Sequence, residues 1–475
     1  MRKRHTTCIQ SRAVSHFSDK RGWRTLMPPK ERQLPESKLV APTYIENFRC
    51  IGPACEDTCC KGWAVPVSRS AYEKYQTLGP GPLRTLIDAS ILLAPKDAAG
   101  SEGYGPEAFA KIQMNESNAC PILTTEGLCQ IHAQLGPGFL STMCATYPRI
   151  LRSVGGVEQN ALALSCPEAA RNVLLNPIVW KQVETATSAA GQEHPQSFPI
   201  SSAQAIRATV LDLAINPAHP LWQRLLYLGV LCQRLDALSC GWPEEEVLKC
   251  LNDFNRAVAA GTLHPIVDAL PIDPRAHMDA VLRLAGLMLH KSNVTARFVE
   301  CINAFTAGIG NGPDATLETL TAGYQAAHDR FFAPLFERHP HILENYLINT
   351  ILRCEFPFGR AGRTPGMSLS ATREFTALVA QFSLTKGLLV GVAGFHRENF
   401  STEHVVHTIQ ASSKHFDHHP EFPKLACELL VETRLADLNG AAVLLRDKKS
   451  DRHATRTVSL SNLYPAPMLQ TAISA

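Results

Sequence analysis

The chain has no run of about 18 uncharged apolar residues, the length a helix needs to cross a bilayer, so no transmembrane span is expected. It has little net charge, formally +3, which implies no general nucleic-acid-binding surface. Its N-terminus is basic but lacks an apolar segment ahead of a small-residue cleavage site, so no secretory signal is expected. The expected location is therefore the reducing cytoplasm, where clustered cysteines bind metal or do chemistry more often than they form disulfides. Strand-like alternation is scarce, and no repeat of solenoid period occurs. What remains is an ordinary globular composition, 45% hydrophobic and 19% charged, in 475 residues. That length suits two or three domains with a sizeable core.

Residues 1–40 read as a basic, solvated extension. Arg2, Lys3, Arg4, Arg12, Lys20, Arg21, Arg24, Lys30 and Arg32 run along it with little opposing charge, and Met27 is an alternative start. Residues 41–183 form a cysteine-rich module, punctuated by Gly52-Pro53, Gly79-Pro80-Gly81-Pro82 and Gly136-Pro137-Gly138. Helices are expected there at Ser68–Leu78 and Gly138–Tyr147. Residues 184–202, rich in Ser, Ala, Gln and Pro, read as a linker or long loop. From 203 to 475 the pattern is mainly helical. Leu221, Leu225, Leu228, Cys232 and Leu235 share one face of a helix starting near Pro220. Val281, Leu284 and Met288 make a second stripe. Leu343, Leu347, Thr350, Ile351 and Cys354 make a third, ending before Phe356-Pro357-Phe358-Gly359. Thr385–Ala393 and Leu425–Leu438 are further helices. The expected fold is mainly α with irregular regions: a cysteine-rich metal-cluster module followed by a larger helical region, with no clear Rossmann sheet.

Of fifteen cysteines, eight fall between residues 50 and 166: Cys50, Cys55, Cys59, Cys60, Cys120, Cys129, Cys144 and Cys166. Thiolates are soft, strongly donating ligands suited to zinc, copper(I) and iron–sulfur clusters. Zinc ribbons usually present two Cys-x2-Cys knuckles, and this chain has none. The spacings, with the adjacent pair Cys59-Cys60, favour iron–sulfur over zinc. The radical signature Cys-x3-Cys-x2-Cys is absent, because residue 62 is Gly. A non-enzymatic metal chelator, carrier or assembly protein with a helical interaction domain is the alternative that spacing alone leaves open.

Three blocks carry a resemblance. They are Phe48-Arg-Cys50-Ile-Gly-Pro-Ala-Cys55-Glu-Asp-Thr-Cys59-Cys60-Lys-Gly-Trp63, Cys120-Pro-Ile-Leu-Thr-Thr-Glu-Gly-Leu-Cys129-Gln-Ile-His132, and Cys144-Ala-Thr-Tyr-Pro-Arg149. They look like an eight-cysteine zinc- or iron-chelating family. With Leu343-Glu-Asn-Tyr-Leu347 and Phe356-Pro-Phe-Gly359, they resemble the bacterial flagellin lysine-N-methylases. That resemblance runs from about Glu36 to the C-terminal helices. It implies a methyltransferase that uses S-adenosyl-L-methionine to methylate lysine ε-amines of flagellin. It also implies an iron–sulfur cluster, of the 4Fe-4S type, held by the cysteine module, with its four ligands among the eight cysteines above.

Other residues invite a functional reading. Glu56, Asp57, Glu126 and Tyr147 lie inside the cysteine blocks and could face a site, or cap turns and bond cysteine sulfurs. Lys61 and Arg149 could neutralise a thiolate-rich cluster. Gly308-Ile-Gly310-Asn-Gly312 looks like a cofactor loop, but it follows a helical pattern and reads as a helix end. His396, His404, His407, His415, His418 and His419 crowd the C-terminal part and read as a polar helical surface. Cys232, Cys240 and Cys250 have no ligand spacing and read as buried small apolar residues.

Overall fold

The helix Ala371–His396 contains no proline and is apolar on every side. A helix of that kind must be surrounded by protein or lipid. In the computed structural model it is surrounded by protein. Ala371–Asn399 is long and apolar enough to cross a membrane, yet 83% of its most apolar window is buried by other helices. The structure describes residues 39–61, 65–95, 108–154, 157–183, 198–289, 294–359, 370–416 and 421–446. The extension up to residue 38, most of the 184–202 stretch, His418, His419 and the last residues lie outside them.

The fold is mainly α, as the sequence pattern indicates. The core helix packs against Ala296–Gly308, Leu221–Asp236, Phe422–Glu432 and Thr402–Phe416. Glycine permits the closest of these crossings. A Cβ on Gly308 would stand 1.8 Å from the Gly391 carbonyl oxygen, and one on Gly391 would stand 2.6 Å from the Phe305 carbonyl oxygen. The glycine run after residue 308 is a helix terminus, with the helix ending at Gly308 and Gly310 at φ +83°.

Pro220 caps Leu221–Asp236, as its fixed φ suits. His341–Cys354 ends where Glu355 turns left-handed, ahead of the cis Phe356–Pro357 bond. Its Asn345 amide donates to the Val173 and Asn176 carbonyls at 2.8 Å. Asn349 pairs with both backbone groups of Leu162, at 3.1 and 2.9 Å, and accepts from the Tyr44 hydroxyl. Asparagine thus stands in for a strand neighbour, and fastens residues 44–48 and 161–174 into the large core.

One expectation is corrected. Leu425–Leu438 is not continuous. Helix Phe422–Glu432 stops, Arg434 adopts φ +61°, and Asp437 caps a new helix, Leu438–Leu445, by accepting from Gly440 N at 2.8 Å. The local bond from Asp437 outcompetes helix continuation.

Strands are short and peripheral. Val65–Ser68, Ala108–Ile112 and Ile91–Leu93 form one antiparallel sheet with Ala108–Ile112 in the middle. Its register opposes Val65 to Ile112 and Val67 to Ala110, and all four are buried. Ser68 caps helix Arg69–Gln76, which turns Ala71 and Tyr75 inward at i, i+4 spacing. Ile87, Cys120, Ile122 and Ile131 complete a second, small core. The 138–147 region holds a one-turn helix, Thr142–Thr146, capped by Ser141.

Candidate functional site: the cysteine module and its seam

Each of the eight cysteines is unbridged. The structure places five of them at a core. Cys60, Cys120, Cys129 and Cys144 pack in or against the small core, whereas Cys166 packs against the large one. Backbone bonds set the first group. Cys120 N donates to Cys60 O at 2.8 Å, and a bridge between Leu123 and Cys129 folds the loop back. Cys120, Cys129 and Cys144 all bear electrostatically on the Tyr75 hydroxyl, which burial holds well above its ordinary range. Burial, then mutual repulsion, pushes the Cys120 thiol up to about 11. Burial likewise pushes Cys144 up to about 12.

Cys59 and Cys60 stand with sulfurs 4.0 Å apart. A proton shared between them favours the thiolate on Cys59 and the thiol on Cys60, so their pKa values move in opposite directions. Lys414 adds to the lowering at Cys59.

Cys55 and Cys59 flank a loop held from the helical side. Lys414 Nζ donates to Asp57 Oδ1 at 2.8 Å and to Thr58 O at 3.2 Å. Gln410 Nε2 donates to Asp57 Oδ2 at 2.7 Å and to Ser165 O at 2.9 Å. Gln410 Oε1 in turn accepts from Arg297 Nε at 3.1 Å. The Lys414 and Asp57 side chains are only 6% and 14% exposed, so this ion pair is screened little by solvent. The Cys55 thiol donates to Asp57 O at 3.3 Å. Cys166 caps helix Pro167–Leu175, and its thiol is pushed up to about 12 by burial. Nearby, Arg171 reaches Glu56 at 2.7 Å and Glu168 at 2.9 Å. That guanidinium lowers the Glu56 carboxyl below its ordinary value.

The remaining candidates fall as follows. Tyr147 Oη bonds Ser165 Oγ at 3.1 Å, and Glu126 is exposed beside Thr125. Arg149 donates to Phe48 O and lies over the Phe48 ring, while Lys61 is exposed. Lys414 contacts the cysteine loop instead. His396 and His404 stack with ring centroids 3.7 Å apart, and His407 lies 3.6 Å from the Cys301 sulfur. His415 is buried against Phe298 and accepts from Thr295 N at 3.3 Å. Cys232 is buried as expected, but Cys240 is exposed in the turn that follows its helix.

Among the described residues, no three His, Cys, Asp or Glu side chains approach closely enough to hold one metal ion. Four thiolates around a zinc lie within about 4 Å of one another, from Zn–S bonds of about 2.3 Å. The module is thus not a pre-formed mononuclear site. Its donors nonetheless suit a sulfur-ligated group. Thiols raised by burial and by one another ionise readily only beside a cation, and a bound metal supplies one.

Residues 207–444 match the family model for the FliB lysine N-methylase C-terminal domain. Lysine-N-methylases of Salmonella typhimurium and Salmonella choleraesuis are each 30% identical over 404 residues, 82% of this chain and 94% of theirs. The chain belongs to the lysine N-methylase family. The flagellar biosynthetic protein FliU of Salmonella muenchen is 30% identical over 142 residues, 30% of this chain and 80% of that protein. No solved structure matches.

Membership of the methylase family makes the chain a protein-lysine N-methyltransferase, and the non-enzymatic carrier reading gives way. The region matched to the methylase C-terminal domain contains Gln410 and Lys414, whereas the cysteine loop they grip lies outside it. The seam therefore joins the two parts of the methylase. Sequence reading missed it, although a signal was present: His407, Gln410 and Lys414, spaced three and four apart, put a polar stripe on one face of Thr402–Phe416.

Proposed function

We propose that this methylase transfers the methyl group of S-adenosylmethionine to lysine ε-amines of flagellin, in the cytoplasm. We propose also that its cysteine module holds an iron–sulfur cluster of the four-iron type. The observation that carries the reading is 30% identity across 94% of proteins named lysine-N-methylase. The flagellar name of a further relative supports flagellin as substrate.

A lysine amine has an ordinary pKa of about 10.4, and only its neutral form attacks carbon. In the reaction the nitrogen–methyl bond forms as the sulfonium–methyl bond breaks, and the amine loses one proton. The protein must desolvate that amine and align it within roughly 3–3.5 Å of the methyl carbon. Cys60, Cys120, Cys129 and Cys144 are the set assigned to the cluster, because they share one small core. Bound there, the cluster supplies a charged, sulfur-ligated cross-link between loops.

The test is direct. Full-length protein, purified anaerobically, is incubated with flagellin and S-adenosylmethionine, and flagellin peptides are weighed. Mass gains of one or more methyl groups on lysine are expected, and unchanged lysines throughout reject the substrate. Iron and sulfide assays on the same preparation test the cluster. Stoichiometric zinc without iron rejects it.

A further inference from the structure

We infer that seven of the eight cysteines, all but Cys50, work as two sets held by different elements, and that Lys414 and Gln410 are positioning residues for the second. The first set is Cys60, Cys120, Cys129 and Cys144, gathered by the small core. The second is Cys55, Cys59 and Cys166, gathered by the helix Thr402–Phe416. Three observations assign it. Cys55 bonds the carbonyl of Asp57, so the place of Asp57 fixes the place of Cys55. Both carboxylate oxygens of Asp57 are taken by Thr402–Phe416, one by Lys414 and one by Gln410. The Gln410 amide that holds Asp57 also holds Ser165 O, the residue before Cys166. A single side chain therefore sets the spacing between the Cys55 loop and Cys166.

The chemistry fits a joint. A buried lysine left without its carboxylate is costly, so the pair forms only when loop and helix meet in one register. Gln410 adds direction, since an amide donates along fixed vectors. The first set is held by the strands and short helices of its own core and meets the joint at Cys60, whose N donates to Thr58 Oγ1 at 3.2 Å and whose sulfur stands 4.0 Å from that of Cys59.

The inference rests on the proposed cluster only in giving that group to the first set, and its test separates the two ideas. Lys414→Met, Gln410→Leu and Lys414→Arg are made in the full-length protein. Iodoacetamide labelling of each cysteine is followed by peptide mass spectrometry, with iron measured in parallel. Cys55 and Cys166 are expected to label about tenfold faster in Lys414→Met and Gln410→Leu, by local opening. Cys120, Cys129 and Cys144 are expected to keep their rates, iron is expected to stay, and Lys414→Arg is expected to restore protection. Cys59 is left out of the comparison, because removing Lys414 also removes the charge beside it. Gln410→Leu changes no charge and guards against a Lys414→Met chain that fails to fold. Uniform acceleration of all cysteines, or none at Cys55 and Cys166, overturns the inference. Iron lost together with the joint also overturns it, since the seam thiols would then be cluster ligands. Protein without iron from the start rejects the cluster, while the labelling pattern still decides the joint.

Discussion

In the large core, Leu388, Leu389 and Val390 sit on a helix enclosed by other helices. In the small core, Ile122 lies in a loop, Ile131 on a helix of six residues, and Val65 and Val67 on a four-residue strand. The buried side chains are of the same kind, but the scaffolds under them differ. Long helices satisfy their own backbone, so the large core needs only complementary apolar faces. The small core is built from short helices, short strands and turns, so each element brings few buried side chains to it. Four of the eight clustered cysteines pack there.

Substitutions on either side test this contrast. The largest effect is expected at Tyr75, which is 1% exposed and sits among three thiols. Tyr75→Ala should cost about 3–5 kcal/mol, confined to the small core. Labelling of Cys120 and Cys144 should rise while circular dichroism of the helical region holds. If both regions melt together, the two cores are one cooperative unit.

Asn349→Leu comes next. It strands both backbone groups of Leu162 and the Tyr44 hydroxyl inside the large core. A loss of about 3 kcal/mol in urea unfolding is expected, from buried groups left unpaired. A shift below about 0.5 kcal/mol would mean that water replaces the amide.

Gly308→Ala probes the large core by overpacking. Its Cβ would meet backbone at 1.8 Å, where no side-chain movement gives relief. About 1–3 kcal/mol is expected, spread over the whole helical region, with cysteine labelling unchanged below the transition.

The smallest effect is electrostatic. Arg171 and Glu56 are both about a third exposed, so solvent screens them. Arg171→Ala should cost well under about 1 kcal/mol at pH 7. Arg171 depresses the folded pKa of Glu56 below its ordinary 4.5. The stabilisation is therefore full above that value, and is lost as pH falls through the depressed one. Parallel melts of variant and parent should converge on acidification. A gap that widens instead would assign Arg171 another role.

Much of the helical architecture was legible because apolar periodicity is local. The stripe from Leu221 to Leu235 and the stop before Phe356 needed only neighbours in sequence. The division at Thr433–Asp437 was not legible, since a capping aspartate overrode continuous apolar spacing. The seam was the hardest feature to anticipate. Arg149 and Lys61 are near the cysteines in sequence and invited the role of counter-charge. The lysine that pairs with the cysteine loop is instead 357 residues from Asp57. Periodicity marks which face of Thr402–Phe416 is polar, but only the assembled fold says what that face meets.

That separation also has a meaning in time. A ribosome adds about 5–20 residues per second. The Asp57 loop is therefore made roughly 20–70 s before Lys414. Through that interval Cys55 and Cys59 have no partner helix, and the small-core cysteines, complete by residue 144, can assemble first. The joint at Lys414 can form only once helix Thr402–Phe416 has been made.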